Sequence, residues 1–119
     1  MAGGLTTAVV DALRGAPAQG MLVDLFRLPR GAGERKHLRT IETDAAGTLA
    51  APLMEQDELL PAVYELLFHV GRYFKASATA LDDAPFLEVI PVRFAITDRR
   101  RPCRLTLLAS PWAYTIYRT

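Results

Sequence analysis

The chain has 119 residues, of which 50% are hydrophobic and 23% charged, and its formal net charge is +1. That length suits one domain, residues 1–119, built on a single core. So small a net charge supplies no field that would draw in nucleic acid or an anionic membrane, and neither is expected as a partner.

A single cysteine, Cys103, excludes an intrachain disulfide and fits a reducing compartment. The opening MAGGLTTAVVDALRG lacks the basic n-region and long apolar run of a signal peptide. No apolar stretch approaches the roughly 20 residues that span a bilayer. The expectation is a soluble, cytoplasmic domain.

From the N-terminus, Leu5 to Leu13 alternates and is rich in Thr and Val, which predicts a first strand. Residues 14–20 (RGAPAQG) form a turn cluster, and Met21 to Leu28 is a second strand. Pro29 to Lys36 reads as a Gly-rich, charged loop, and Leu38 to Thr43 as a third strand closed by the turn Asp44-Ala45-Ala46-Gly47. Leu49 to Met54 can form only a short edge strand, because Pro52 cannot donate to a ladder. Ala62 to His69 is a strong strand. Gly71 to Leu81 carries the one helical composition, bounded by Gly71 and Asp82-Asp83. Phe86 to Ile96 alternates again, with Pro91 marking an edge or a bulge. Residues 98–102 (DRRRP) make a hairpin turn between Cys103 to Ala109 and the preceding strand, and Ala113 to Arg118 ends the series. The rhythm of short strands and turns predicts an all-β sandwich or barrel of about eight strands with one short helix.

The residues limit the chemistry. A positioned acid or base is most often His, and only His37 and His69 are present. His37, in Glu34-Arg35-Lys36-His37, reads as part of a solvated loop or strand start. His69, beside Phe68 and Val70, reads as a hydrogen-bonded structural imidazole. No clustered His, Cys or carboxylates with metal-ligand spacing and no Gly-rich phosphate loop is present, so neither a metal nor a cofactor is expected. The run Asp98-Arg99-Arg100-Arg101 lacks interleaved aromatics and reads as solvated charge at a hairpin tip. Alternation through Cys103-Arg104-Leu105-Thr106-Leu107 sends Arg104 and Thr106 to one face. Arg104 and Arg118, on adjacent strands in apolar frames, could bind an anion bidentately or could serve as charges that protect an edge.

Five stretches then carry a resemblance: LTTAVVDALRGAPAQG at 5–20, TDAAGTLAAPL at 43–53, YELLFHVGRYF at 64–74, PFLEVIPVRFAITD at 85–98 and LLASPWAYTIYRT at 107–119. In order and spacing the chain resembles the transthyretin / 5-hydroxyisourate hydrolase family over nearly its whole length. The resemblance implies an eight-stranded transthyretin-like β-sandwich with one short helix. It also implies a homotetramer, a dimer of dimers around a central channel with two equivalent sites. The family's hydrolases open the ring of 5-hydroxyisourate, a product of urate oxidation, with bound water and no cofactor.

Against the family's motifs, three positions differ. Its first strand reads Leu-Thr-Thr-His-Val-Leu-Asp, and here the histidine is Ala8. Its turn reads Asp-Gly-Arg, and here the arginine is Thr48. Its His-Tyr-His-Val-Pro-Leu-Leu becomes Pro102-Cys103-Arg104-Leu105-Thr106-Leu107-Leu108, so the second histidine is Arg104. The ending Tyr-Arg-Gly-Ser is reduced to Tyr117-Arg118-Thr119.

Alanine cannot move a proton, and arginine is effectively always protonated, so no certain catalytic residue is assigned at Ala8, Thr48 or Arg104. The hormone-carrying members have a lysine at the Ala8 position and are secreted, which gives thyroid-hormone transport no support here. By resemblance, Arg104, Thr106, Tyr117, Arg118 and Thr119 are the expected substrate-binding residues. The expected ligand is a small anionic or carbonyl-bearing molecule held in the channel. The alternatives are retained 5-hydroxyisourate hydrolysis in purine breakdown and a non-catalytic small-molecule binding protein. Trp112, Tyr114, Ile116 and Tyr117 fit a buried interface between subunits.

Overall fold

Strand periodicity becomes two sheets. A computed structural model describes residues 4–77 and 85–119. Its elements, in chain order, are β1 (Leu5–Asp11), β2 (Ala16–Pro17), β3 (Leu22–Arg27), β4 (Lys36–Glu42), β5 (Ala62–Phe68), α1 (Val70–Ala76), β6 (Ile90–Ile96), β7 (Cys103–Ala109) and β8 (Tyr114–Arg118). One sheet has the order β2-β1-β7-β8 and the other β4-β3-β5-β6. All pairings are antiparallel except that of β1 with β7.

The two inner faces meet in one core. Leu5, Val9, Leu105 and Leu107 face Val23, Leu25, Tyr64, Leu66 and Phe68, with Val70 and Phe74 of α1 closing one end. Removing each large apolar side chain from water contributes about 1.5–3 kcal/mol. Asp11 is buried at the end of β1. Its carboxylate accepts the Leu13 and Arg14 backbone N–H groups, both at 3.0 Å, and the Tyr73 hydroxyl at 2.8 Å, which ties α1 to β1.

Eight strands and one helix among the described residues match the expected transthyretin-like sandwich, although one strand differs from the expectation. Leu49 to Met54 is not a strand. Pro52 removes a donor, and the segment is held to β1 around Leu5, whose N–H donates to the Met54 carbonyl at 2.9 Å and whose carbonyl accepts the Leu53 N–H at 2.7 Å. The eighth strand is instead β2, inside the stretch read as a turn cluster. There Pro17 sits in an edge strand that needs no donor from it. Residues 86–89 precede β6 rather than forming part of it. Pro91 lies in an edge strand, as expected. The helix begins at Val70, and of the stretch expected to be helical, residues 78–81 lie outside the described residues.

Candidate functional site

Register determines which side chains share the outer face of the β2-β1-β7-β8 sheet. Residues opposite one another on paired strands point the same way. Ala8 is opposite Thr106 and Thr6 opposite Arg104 across β1 and β7. Thr106 is opposite Tyr117, and Leu108 opposite Thr115, across β7 and β8. The Thr119 N–H donates to the Arg104 carbonyl at 2.9 Å, which continues the ladder to the last residue. Ala8, Arg104, Thr106, Tyr117 and Thr119 therefore gather on one open face.

Burial agrees with this alternation: Cys103, Leu105 and Leu107 are buried inward, while Arg104 is exposed. Arg104 has no ion-pair partner among the described residues. Ala8 and Thr106 line the floor of this face, and Tyr117 stands 45% exposed above it.

Arg118 lies elsewhere. It pairs with Leu105, so its side chain leaves from the opposite face, where Nη2 donates to the Pro102 carbonyl at 3.4 Å. The two arginines thus do not converge. On Arg118's side of the sheet, burial pushes the Cys103 thiol up, and the nearby Arg118 charge partly offsets the rise.

Thr48 is brought to the edge of this face by a backbone contact. Gly47 adopts a φ of +73°, and its carbonyl accepts the Val9 N–H at 2.8 Å. A Cβ at Gly47 would stand 2.5 Å from the Val9 carbonyl oxygen, so only glycine permits the approach. The Asp44 carboxylate caps the turn, accepting the Ala46 N–H at 2.9 Å and the Thr48 N–H and hydroxyl at 3.1 and 3.3 Å.

The aromatic cluster at the chain end divides between faces. Ile116 packs against the core, while Trp112 and Tyr114 are 58% and 45% exposed on this single chain.

Neither imidazole is on this face: His37 is on β4 of the other sheet and His69 is the N-cap residue of α1 just after β5, and the two meet at one carboxylate. His69 Nε2 lies 2.8 Å from Asp24 Oδ2, and His37 Nε2 lies 3.1 Å from Asp24 Oδ1 and 2.8 Å from the Thr40 hydroxyl oxygen. The Thr40 hydroxyl also donates to Asp24. Burial raises the Asp24 carboxyl pKa, but the bonds from Thr40, His69 and His37 outweigh it and hold the carboxyl below its usual range. An ionised carboxylate only accepts, so the Nε2 facing it carries the proton on each ring. Sequence reasoning saw both histidines as hydrogen-bonded or solvated and missed their shared partner. The only available signal was a lone carboxylate in the apolar strand MLVDLFRL.

A nearby network follows the same pattern of partnered charge. Glu65, buried in β5, is bonded by Arg35 and lies 3.4 Å from Arg93 Nε, and the Arg35 guanidinium stacks 4.0 Å above the Phe26 ring. At the hairpin tip, Arg100 donates to the Asp98 carboxylate at 3.0 and 3.2 Å, and the charge there is solvent-exposed.

The topology and the open face define a transthyretin-like sandwich. The HIUase/Transthyretin family matches residues 5–119, and the chain belongs to that family. A 5-hydroxyisourate hydrolase 2 of Rhizobium meliloti (strain 1021) is 43% identical over 117 residues, covering 98% of this chain and 95% of that protein. Among solved structures, an (S)-allantoin synthase superposes with a TM-score of 0.89 at 32% identity over 99% of this chain, which spans 44% of that longer chain. Sea bream transthyretin in complex with thyroxine superposes with a TM-score of 0.84 at 28% identity, covering 97% of this chain and 93% of that one. No helix among the described residues is long and apolar enough to cross a membrane.

Proposed function

We propose that the outer face of the β2-β1-β7-β8 sheet, closed by the same face of a second copy, binds a small anionic or carbonyl-bearing molecule. The observation that carries this reading is Arg104: an exposed guanidinium without a carboxylate partner among the described residues, framed by Ala8, Thr106, Tyr117 and Thr119. A guanidinium offers paired donors to a carboxylate, an enolate or a polarised carbonyl, and the hydroxyls of Thr106 and Tyr117 orient the bound molecule. With both imidazoles away from this face and bonded to Asp24, any catalysis here works by orientation and electrostatic stabilisation rather than by imidazole proton transfer.

The same proposal includes a homotetramer, with 1–119 as its single domain. The exposed Trp112 and Tyr114 and the unpaired edges of β8 and β6 supply surfaces that a second copy would cover. Cytoplasmic residence, expected from the single cysteine, completes the reading.

A second reading is retained hydrolysis of 5-hydroxyisourate. It is favoured by relatives of that name, among them two that are 43% and 37% identical over nearly the full length. A urate oxidase-coupled assay separates the two. If 5-hydroxyisourate absorbance decays no faster with the protein than without it, hydrolysis is ruled out. If decay is accelerated and the Arg104→Ala variant is as fast as wild type, the Arg104-centred site is wrong.

A further inference from the structure

We infer that the cavity beside α1 is a second anion site, distinct from the open sheet face, which binds a small dianion through His69, Arg72 and Lys75. Residues 69, 72 and 75 recur at a spacing of three, so an imidazole, a guanidinium and an ammonium lie in one row along the helix. The row borders a cavity of about 320 Å³, lined also by Gly71, Pro85, Glu88 and Val89. That volume holds a sulfate, a phosphate monoester or a small dicarboxylate.

Arg72 and Lys75 are exposed and have no ion-pair partner among the described residues. Like charges three apart on a helix repel, and a bound dianion offsets that repulsion. The wall opposite the row is held close by Gly71, whose N–H donates to the Glu88 carbonyl at 3.0 Å and where a Cβ would lie 2.8 Å from Pro85 Cγ.

His69 makes this site sensitive to pH. Its Nε2–H is committed to Asp24 at 2.8 Å, and its Nδ1 has no hydrogen-bond partner among the described residues. A neutral ring presents a lone pair at Nδ1, which repels an anion, whereas the protonated ring presents an N–H donor. The other groups around the ring are His37 and Thr40 on β4, Arg72 and Lys75 on α1, and Glu88 from the wall before β6. The two cations, Arg72 and Lys75, favour the anion, Glu88 opposes it, and a proton on His69 tips the balance.

Sulfate is the appropriate probe, because it remains a dianion throughout the range in which histidine titrates. The full-length protein is titrated with sodium sulfate against sodium chloride at constant ionic strength, followed by amide and imidazole NMR. Sulfate is expected to shift the amides of residues 69–75 and 87–89 and to raise the titration midpoint of His69 more than that of His37. Its affinity should fall about tenfold as His69 loses its proton, the loss of one charge-assisted bond. Arg72→Ala should abolish the sulfate-specific shifts, and His69→Gln should remove the pH dependence while leaving the fold intact. Phosphoserine and succinate arms then distinguish a phosphate monoester from a dicarboxylate by relative affinity. Chloride-like shifts with sulfate, an unchanged response in Arg72→Ala, or pH-independent affinity in the wild type would each overturn the inference.

Discussion

Replacing Tyr73 by Phe tests whether one hydrogen bond holds the helix to the sandwich. Tyr73 is 7% exposed, and its hydroxyl donates to Asp11 Oδ2 at 2.8 Å, while Asp11 itself is 1% exposed. Phenylalanine keeps the ring and its edge contact with Phe74, at 5.0 Å between centroids, and removes only the donor. The Asp11 carboxylate still accepts the Leu13 and Arg14 N–H groups through Oδ1, but Oδ2 is left buried and unpaired. A bond to a charged acceptor contributes about 1.5–3 kcal/mol, so a loss of that size is expected. At about 4 °C per kcal/mol for a chain of this length, Tm should fall by about 6–12 °C.

Urea denaturation at fixed protein concentration measures the loss, and a cycle with Asp11→Asn should give a coupling of about 1 kcal/mol or more. Burial and the Asp11 bond both raise the Tyr73 phenol above its ordinary value of 10.0. Its contribution is therefore complete below pH 10 and is lost as pH rises through the folded-state value. The gap between wild type and variant should narrow in that alkaline range. A loss below about 0.5 kcal/mol at neutral pH, or a gap that does not change with alkali, would refute the reasoning.

Three further outcomes are expected. Gly47→Ala should lower stability by about 2–4 kcal/mol in urea denaturation, combining a positive-φ penalty with the clash against the Val9 carbonyl. Asp24→Asn should destabilise the protein at neutral pH. Because the native carboxyl is held below the usual 3.8, that stabilisation is present above the unfolded value and lost as pH falls through the native one, so acid titration should close the gap between variant and wild type. Deleting residues 117–119 should impair both assembly and ligand binding, seen by size-exclusion chromatography with light scattering and by ligand titration. Unchanged behaviour in both assays would count against the proposed shared site.

Alternation and turn chemistry are local properties, and most strands were legible from them. LTTAVVD and CRLTLLA each bury the alternate residues expected to face inward, with Ala8 and Thr106 on the other face buried too, and Pro91 announced an edge. Local pattern misled where the deciding contact came from far along the chain. Leu49 to Met54 has strand-like composition, yet among the described residues its ladder contacts are limited to the backbone of Leu5. Ala16 and Pro17 resemble a turn, yet the end of β1 recruits them as an edge. The candidate site divides in the same way. By itself the sequence determined that Arg104 and Thr106 share a face, because strand pleating has a period of two. Only the tertiary structure decided that Tyr117 joins them and Arg118 does not, because that depends on the register between β7 and β8. Tertiary structure also decided that two histidines 32 positions apart in the sequence share Asp24, because pairing among β3, β4 and β5 places three distant segments side by side.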